Sequence, residues 1–213
     1  MVAAGVLVSG EGTNLQAILD RIAAGRLDCD VRLVVSNRSG AGGLARAARA
    51  GVPTRVIDHR TFATREEFDT AVVQAFRAVG AELIVLAGFD RLVTRVMLEA
   101  FPYRIINIHP ALLPAFKGLH AQRQALEYGA KITGVTVHFV DQDVDHGPII
   151  VQGAVALDPD DTEATLAERI RLVEHELYPL AIQLFAEGRL EVDGRRVRVR
   201  GPRLGRPPPL VQT

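Results

Sequence analysis

The sequence predicts an α/β fold, a mostly parallel twisted sheet with helices on both faces and a mixed C-terminal part. Short apolar runs alternate with longer amphipathic ones through the first half, at the rhythm of strand-helix-strand units. The 213 residues suffice for one substantial domain with a proper core. A hydrophobic content of 48% is that of a globular chain, not a disordered one.

Each element follows from local pattern. Residues 4–8 are a short apolar run ending at Ser9-Gly10, the signature of a buried strand. Residues 13–24 place Leu15, Ile18, Leu19 and Ile22 at helical spacing, with Thr13 as a candidate cap. Residues 31–35 give a second strand, and residues 43–50 a second helix stopped by Gly51 and Pro53. A third strand (54–57), a helix (65–79, ended by Gly80), a fourth strand (83–87), a short helix (94–100) and a fifth strand (104–108) follow. Cys29 falls among polar residues between two elements. In such sheets ligands bind outside the carboxyl ends of the strands, which singles out residues 9–14, 87–93 and 107–114.

The second half changes character. A helix is expected over residues 118–129, with Leu119, Gln122 and Leu126 along one side. Extended runs at 132–140 and 148–155 read as a hairpin joined by a long polar connection, and long connections in compact domains tend to carry function. Residues 162–186 form a long helix, weakly capped by Thr162. Residues 190–192 and 197–199 form a short hairpin on an Asp193-Gly194 turn, and the final Gly-Pro-Arg…Pro-Pro-Pro stretch is irregular. The organisation is therefore one domain over residues 1–190, with a phosphate-binding half (1–108) and a catalytic half (109–190), followed by a hairpin and Pro-rich tail (191–213).

Composition narrows the function. Twenty-five basic and twenty-five acidic side chains balance, which argues against a nucleic-acid surface. The one basic stretch, residues 195–206, reads as a solvated edge. A lone cysteine points to a reducing, cytoplasmic setting. Residues 1–9 lack a signal peptide's charged leader and apolar core. No segment approaches the roughly 20 apolar residues of a membrane span.

Three loops could carry chemistry. In Ser9-Gly-Glu-Gly-Thr-Asn14, two glycines and a helix start offer free amides and a positive dipole end to a phosphate, held by Gly12, Thr13 and Asn14. No Lys follows, so it is not a Walker loop, and a tight structural turn is an equal reading. In Asn107-Ile-His-Pro110, residues two apart leaving a strand point the same way, so Asn107 and His109 can converge on one reacting group, the alternative being that His109 merely hydrogen-bonds a neighbouring backbone. An amide beside an imidazole suits an oxygen gaining charge in acyl transfer. Asp145, in Val144-Asp-His-Gly-Pro148, could face His109 and raise its pKa, or could be an ordinary turn residue. Asp141, Asp143 and Asp145 alternate, but the loop lacks the central Gly and trailing Glu of a calcium site. His109, His138 and His146 lack metalloprotease spacing, one cysteine builds no structural zinc site, and no Gly-x-Ser-x-Gly elbow occurs. No metal is expected. His59, His120 and His175 have no assigned chemistry.

Taken together, these motifs resemble the phosphoribosylglycinamide formyltransferases, the folate-dependent glycinamide ribonucleotide transformylases. The matching stretches lie at residues 8–16 (Val-Ser-Gly-Glu-Gly-Thr-Asn-Leu-Gln), 86–89 (Leu-Ala-Gly-Phe), 106–114 (Ile-Asn-Ile-His-Pro-Ala-Leu-Leu-Pro), 134–140, 144–148 and 174–179 (Glu-His-Glu-Leu-Tyr-Pro). The Asn-x-His-Pro stretch marks formyl-folate enzymes as a group, and the glycine loop narrows the choice to the ribonucleotide enzyme. The resemblance implies a Rossmann-like formyltransferase fold and transfer of the formyl group of 10-formyltetrahydrofolate to the amine of glycinamide ribonucleotide, in purine synthesis. It implies that Asn107, His109 and Asp145 are catalytic, and that Gly12, Thr13, Asn14 and Glu174 bind the ribonucleotide. It implies that Arg65, Asp90, Arg91, Leu92, Val93, Asn107, Val140 and Asp141 bind the formyl-folate. The partners implied are these two small molecules, without nucleic acid or membrane, in a monomer or homodimer.

Two positions depart from the family pattern. Asp90 stands where Met is usual, beside the expected folate site, and Arg171 falls where some relatives carry a polar uncharged residue near the ribose. Two related enzymes compete: methionyl-tRNA formyltransferase carries a further C-terminal domain, and formyltetrahydrofolate hydrolase an N-terminal regulatory one. A non-catalytic nucleotide sensor is the alternative of another class, and it leaves Asn107, His109 and Asp145 unexplained.

Overall fold

The computed structural model describes residues 1–202. The chain runs β1 (Val2–Val8), α1 (Thr13–Ala23), β2 (Cys29–Ser36), α2 (Gly42–Arg49), β3 (Thr54–Val56), α3 (Arg65–Ala78), β4 (Leu83–Leu86), α4 (Arg95–Ala100) and β5 (Ile105–His109). It continues through α5 (Ala121–Tyr128), β6 (Ile132–Phe139), β7 (Ile149–Ala156), α6 (Glu163–Ala186), β8 (Leu190–Asp193) and β9 (Arg196–Val199).

All strands join one sheet in the order β3-β2-β1-β4-β5-β6-β7-β9-β8. The first five are parallel, while β6 and β7 run antiparallel to their predecessors. The chain steps from β1 to β2 on one side and returns to β4 on the other, so the switch point opens beside the carboxyl end of β1. Alternate residues of β1 feed opposite cores, as the pleat requires. Val2, Ala4, Val6 and Val8 face a cluster with Leu15, Ile18, Ile170 and Ile182, and Leu7 faces one with Phe68, Phe76 and Met97. Thr162 caps α6 through a reciprocal capping box with Thr165, a firmer start than its sequence suggested.

Several expectations are corrected. Thr13 does not cap α1; Gly12 holds the cap position in a left-handed conformation, and no side chain among the described residues caps the helix. Cys29 is the first residue of β2, fully buried, and burial pushes its thiol pKa up to about 12. The polar neighbours Asp30 and Arg32 disguised that strand, because they alternate outward from it. His109 ends β5 instead of following it. Helix α5 begins three residues later than its pattern implied, because Gly118 and His120 adopt positive φ, and Leu119 is left exposed. Register places the hairpin turn at Gly194-Arg195, between the paired Asp193 and Arg196. That hairpin continues the main sheet, through Arg196 beside Ile149 of β7. The Pro-rich stretch beyond residue 202 lies outside the described residues.

Candidate active site

The first component is the turn between β1 and α1. Gly12 sits at φ 74°, and a Cβ there would stand 2.5 Å from the Gly43 Cα at the start of α2. Glycine is therefore demanded twice, by backbone conformation and by close approach. With no side-chain cap, the leading amides of α1 remain available to an anion. The Asn14 side chain reaches across to α6, where its Nδ2 donates to Glu174 at 3.1 Å. Burial pushes the Glu174 carboxyl up, against the pull of Asn14 and Arg171. The buried Asn14 Oδ1 has no partner among the described residues. A cavity of about 300 Å³ opens beside Thr13, lined also by Gln16, Arg46 and His175.

The second component is the 87–94 segment after β4. Asp90 resolves one departure from the family pattern, because its carboxylate turns toward β2, pairing with Arg38 and accepting from Asn37 Nδ2 at 3.0 Å. Its backbone N–H donates to Ser9 Oγ at 3.1 Å, and Ser9 in turn donates to Asn37 Oδ1 at 2.8 Å. Burial pushes the Asp90 carboxyl up, but Ser9, Asn37 and Arg38 outweigh it and the net shift is downward. Arg91 lies over the Phe68 ring, which stacks on Phe89, while Leu92 is exposed and Val93 half-buried. The far end of the segment is pinned where Thr94 N–H donates to the buried Asp69 at 2.5 Å. Arg65 begins α3, the helix that supplies Phe68, and is exposed.

The third component brings distant residues together. His109 is 4% exposed. Its Nε2 lies 2.8 Å from the Phe116 carbonyl, and its Nδ1 lies 3.3 Å from Asp145 Oδ2. Asp145 also accepts from the Gly118 N–H at 2.8 Å, and its Oδ1 lies 3.7 Å from His138 Nε2. The antiparallel register sets Asn107 opposite His138, with Asn107 Nδ2 3.5 Å from His138 Nε2. The carboxylate thus lies between two imidazoles, one of which stands beside the amide.

The electrostatics differ from expectation in one respect. Asp145 does raise the His109 pKa, as does the Phe116 carbonyl, but burial acts more strongly and the net direction is down. Burial likewise pushes Asp145 up, and the opposing pull of His138, His109 and the Gly118 amide leaves it below the ordinary carboxylate range. A carboxylate held low therefore faces a ring whose burial opposes its protonation. Both ring nitrogens face acceptors, the Phe116 carbonyl at Nε2 and the Asp145 carboxylate at Nδ1. A second proton on that ring would meet a waiting acceptor.

Comparison with known proteins gives this geometry a family. The model of the formyl transferase family matches residues 3–182. The chain belongs to the formyl transferase family. A phosphoribosylglycinamide formyltransferase from Escherichia coli is 40% identical over 93% of this formyl transferase chain and 94% of its own length. The human trifunctional purine biosynthetic protein adenosine-3 is 44% identical over 88% of the chain, which spans only 18% of that larger protein. Among solved structures, glycinamide ribonucleotide transformylase 1 from Symbiobacterium toebii aligns with a TM-score of 0.92 at 55% identity, covering 93% of this chain and 94% of that one. The formyltransferase from Coxiella burnetii, solved with CHES, aligns with a TM-score of 0.89 at 41% identity, covering 93% of each chain.

The site of this formyl transferase also contains residues that sequence reasoning did not assign. His138 flanks Asp145, Thr136 anchors the segment after His109 by donating to Ala111 O at 2.7 Å, and Tyr178 places its hydroxyl between the Leu86 and Ile106 carbonyls at 2.9 and 3.0 Å. Once β5 and β6 are paired, alternate residues of β6 must face the site, which was the available signal for Thr136 and His138. Phe116 and Gly118 act through backbone atoms, and their residue types carry no such signal. No helix among the described residues is long and apolar enough to cross a membrane.

Proposed function

We propose that the chain transfers the formyl group of 10-formyltetrahydrofolate to the primary amine of glycinamide ribonucleotide, as a cytoplasmic enzyme of purine synthesis. The observation that carries this reading is the Asp145 carboxylate lodged between His109 and His138, the latter beside Asn107, at the end of a sheet whose neighbouring turn is open to an anion.

In this reading Gly12, Thr13 and Asn14 hold the ribonucleotide phosphate through backbone amides. Glu174 and the unpartnered Asn14 Oδ1 receive ribose hydroxyls. Residues 90–93, with Val140, Asp141 and Arg65, bind the folate, and the 90–93 contribution is chiefly backbone because the Asp90 side chain is committed elsewhere. The folate brings the formyl group; the protein orients it and manages charge and protons. Asn107 donates its amide hydrogens to the formyl oxygen as that oxygen gains charge. The new negative charge raises the His109 pKa, so the ring takes its second proton as the barrier is climbed, a gain specific to the transition state. That second proton is the one the amine loses as its nitrogen bonds to the formyl carbon; Asp145 accepts the Nδ1–H so formed, and the proton passes on to the folate nitrogen as the bond from that nitrogen to the formyl carbon breaks. Holding both substrates together supplies much of the remaining acceleration.

The test is consumption of 10-formyltetrahydrofolate by purified protein with and without glycinamide ribonucleotide. Strict dependence on the amine is expected. Loss of formyl-folate without the amine would instead indicate a hydrolase, and binding without turnover a sensor.

A further inference from the structure

The loop that carries Asp145 is gripped from outside by the C-terminal hairpin. Asp145 and His146 face opposite ways. Asp145, at φ 46°, aims inward at Gly118, His109 and His138. His146 turns outward, with its Nδ1 2.8 Å from Asp141 Oδ2. Arg195, from the two-residue turn between β8 and β9, places Nη1 2.8 Å from His146 Nε2 and donates through Nη2 to the His146 carbonyl at 2.7 Å. The same Nη1 lies 3.2 Å from Nδ1, so the guanidinium stands against both ring nitrogens while the Asp141 carboxylate holds Nδ1. The ring is thereby fixed at both nitrogens and the backbone at the adjoining carbonyl.

We propose that Arg195 is a positioning residue for Asp145, and that the β8–β9 hairpin clamps the loop so that the carboxylate stands ready against His109. The ends of the loop are already held. Val140 N–H donates to Ile105 O at 2.9 Å, Phe139 N–H donates to Pro148 O at 2.9 Å, and a Cβ at Gly147 would stand 1.8 Å from the Phe139 carbonyl. Between these anchors Asp145 occupies a left-handed conformation, which disfavours a non-glycine residue and persists only where surroundings over-determine it. The inward contacts supply one side of that constraint and Arg195 the other. The turn is well placed for this, because Arg196, next in sequence, pairs with Ile149 two residues beyond Gly147. The competing view is a surface contact without consequence, since exposed charged pairs contribute little to stability. That view predicts a small change in melting temperature and none in turnover. The clamp predicts the reverse, because displacing a reacting group by about 1 Å costs on the order of 100-fold.

This inference rests on the formyltransferase reading, so its test has an arm that does not use activity. Amide hydrogen exchange of residues 141–147 is measured in the unliganded protein for wild type, Arg195→Ala, Arg195→Lys and Arg198→Ala. Arg195→Ala is expected to speed exchange at Asp143, whose N–H donates to Asp141 Oδ1 at 3.1 Å, while the exposed control Arg198→Ala leaves it unchanged. In turnover, Arg195→Ala is expected to lower kcat by about tenfold with the ribonucleotide KM within twofold. Arg195→Lys should fall between, since one ammonium cannot serve ring and carbonyl as a planar fork does. Wild-type exchange and kcat in Arg195→Ala, or a rate loss no larger than its loss of folded protein, would overturn the clamp. A wild type without formyl transfer would defeat the functional reading, and the exchange arm would still decide the clamp.

Discussion

The turn before α1 and the loop after β6 both serve the candidate site, yet they are built by opposite means. At the first, the backbone does the work: a left-handed glycine packed on Gly43 presents the uncapped amides of a helix. At the second, side chains do it: Asp145 is set by Gly118, His109 and His138 from within and flanked by His146 and Arg195 from without. A backbone-built site tolerates changes of side chain and fails on changes of conformation. A side-chain-built site fails on the exchange of one atom.

The largest expected effect is at the second site. Asp145→Asn preserves shape and an oxygen for the Gly118 amide but removes the charge, and His109→Asn removes the ring. Each is expected to lower kcat by roughly 10²–10³, the scale of losing one well-placed group that stabilises developing charge. The ribonucleotide KM should stay within a few fold, because the phosphate is held elsewhere. Steady-state kinetics, with circular dichroism to verify the fold, check this. Near-normal kcat in either variant would remove both residues from the chemistry.

Next comes Gly12→Ala, which tests the first site. The added methyl meets the Gly43 Cα and stands on a residue with φ 74°. A cost of about 1–3 kcal/mol in unfolding free energy is expected. The ribonucleotide KM should rise by tenfold or more, while kcat at saturation changes little. Thr13→Ala, which deletes a side chain and keeps the amides, should change KM far less. If Thr13→Ala proved the more damaging, the contrast between the two sites would be broken.

The same contrast explains what could be read from sequence. The parallel half was legible because each element carries its own period, and the glycine turn because its demand on conformation is local. Asn107 and His109 were legible as a pair two residues apart on one strand. The partners of Asp145 were not: Phe116 and Gly118 contribute backbone atoms from a segment whose path depends on positive φ at Phe116, Gly118 and His120. His138 acquires its place only from the β5–β6 register. Arg195 lies 50 residues from Asp145 in sequence and reaches the loop because β9 joins β7. Local pattern specifies elements, whereas contacts made across them wait for the fold.

The smallest expected effect is at Asp90, and it separates the two kinds of construction within one residue. The Asp90 N–H donates to Ser9 and holds the 88–93 segment to the carboxyl end of β1, whereas its carboxylate only joins Arg38 and Asn37 at a partly exposed surface. Asp90→Met, which restores the residue usual in the family, keeps the first and loses the second. The folate KM should therefore stay within about threefold, and the stability loss at neutral pH should lie within the roughly 0–1 kcal/mol of an exposed ion pair. The sign of its pH dependence is fixed by the downward shift of the Asp90 carboxyl. A depressed folded pKa contributes stability above the unfolded carboxylate value of about 3.9, and that contribution fades as pH falls through the folded value. Wild type and Asp90→Met should thus differ in melting temperature at neutral pH and converge in acid below about pH 4. A gap that widened on acidification would mean that the carboxylate gains nothing from Arg38 and Asn37. A large rise in folate KM would mean that the side chain, and not the backbone, holds the substrate there.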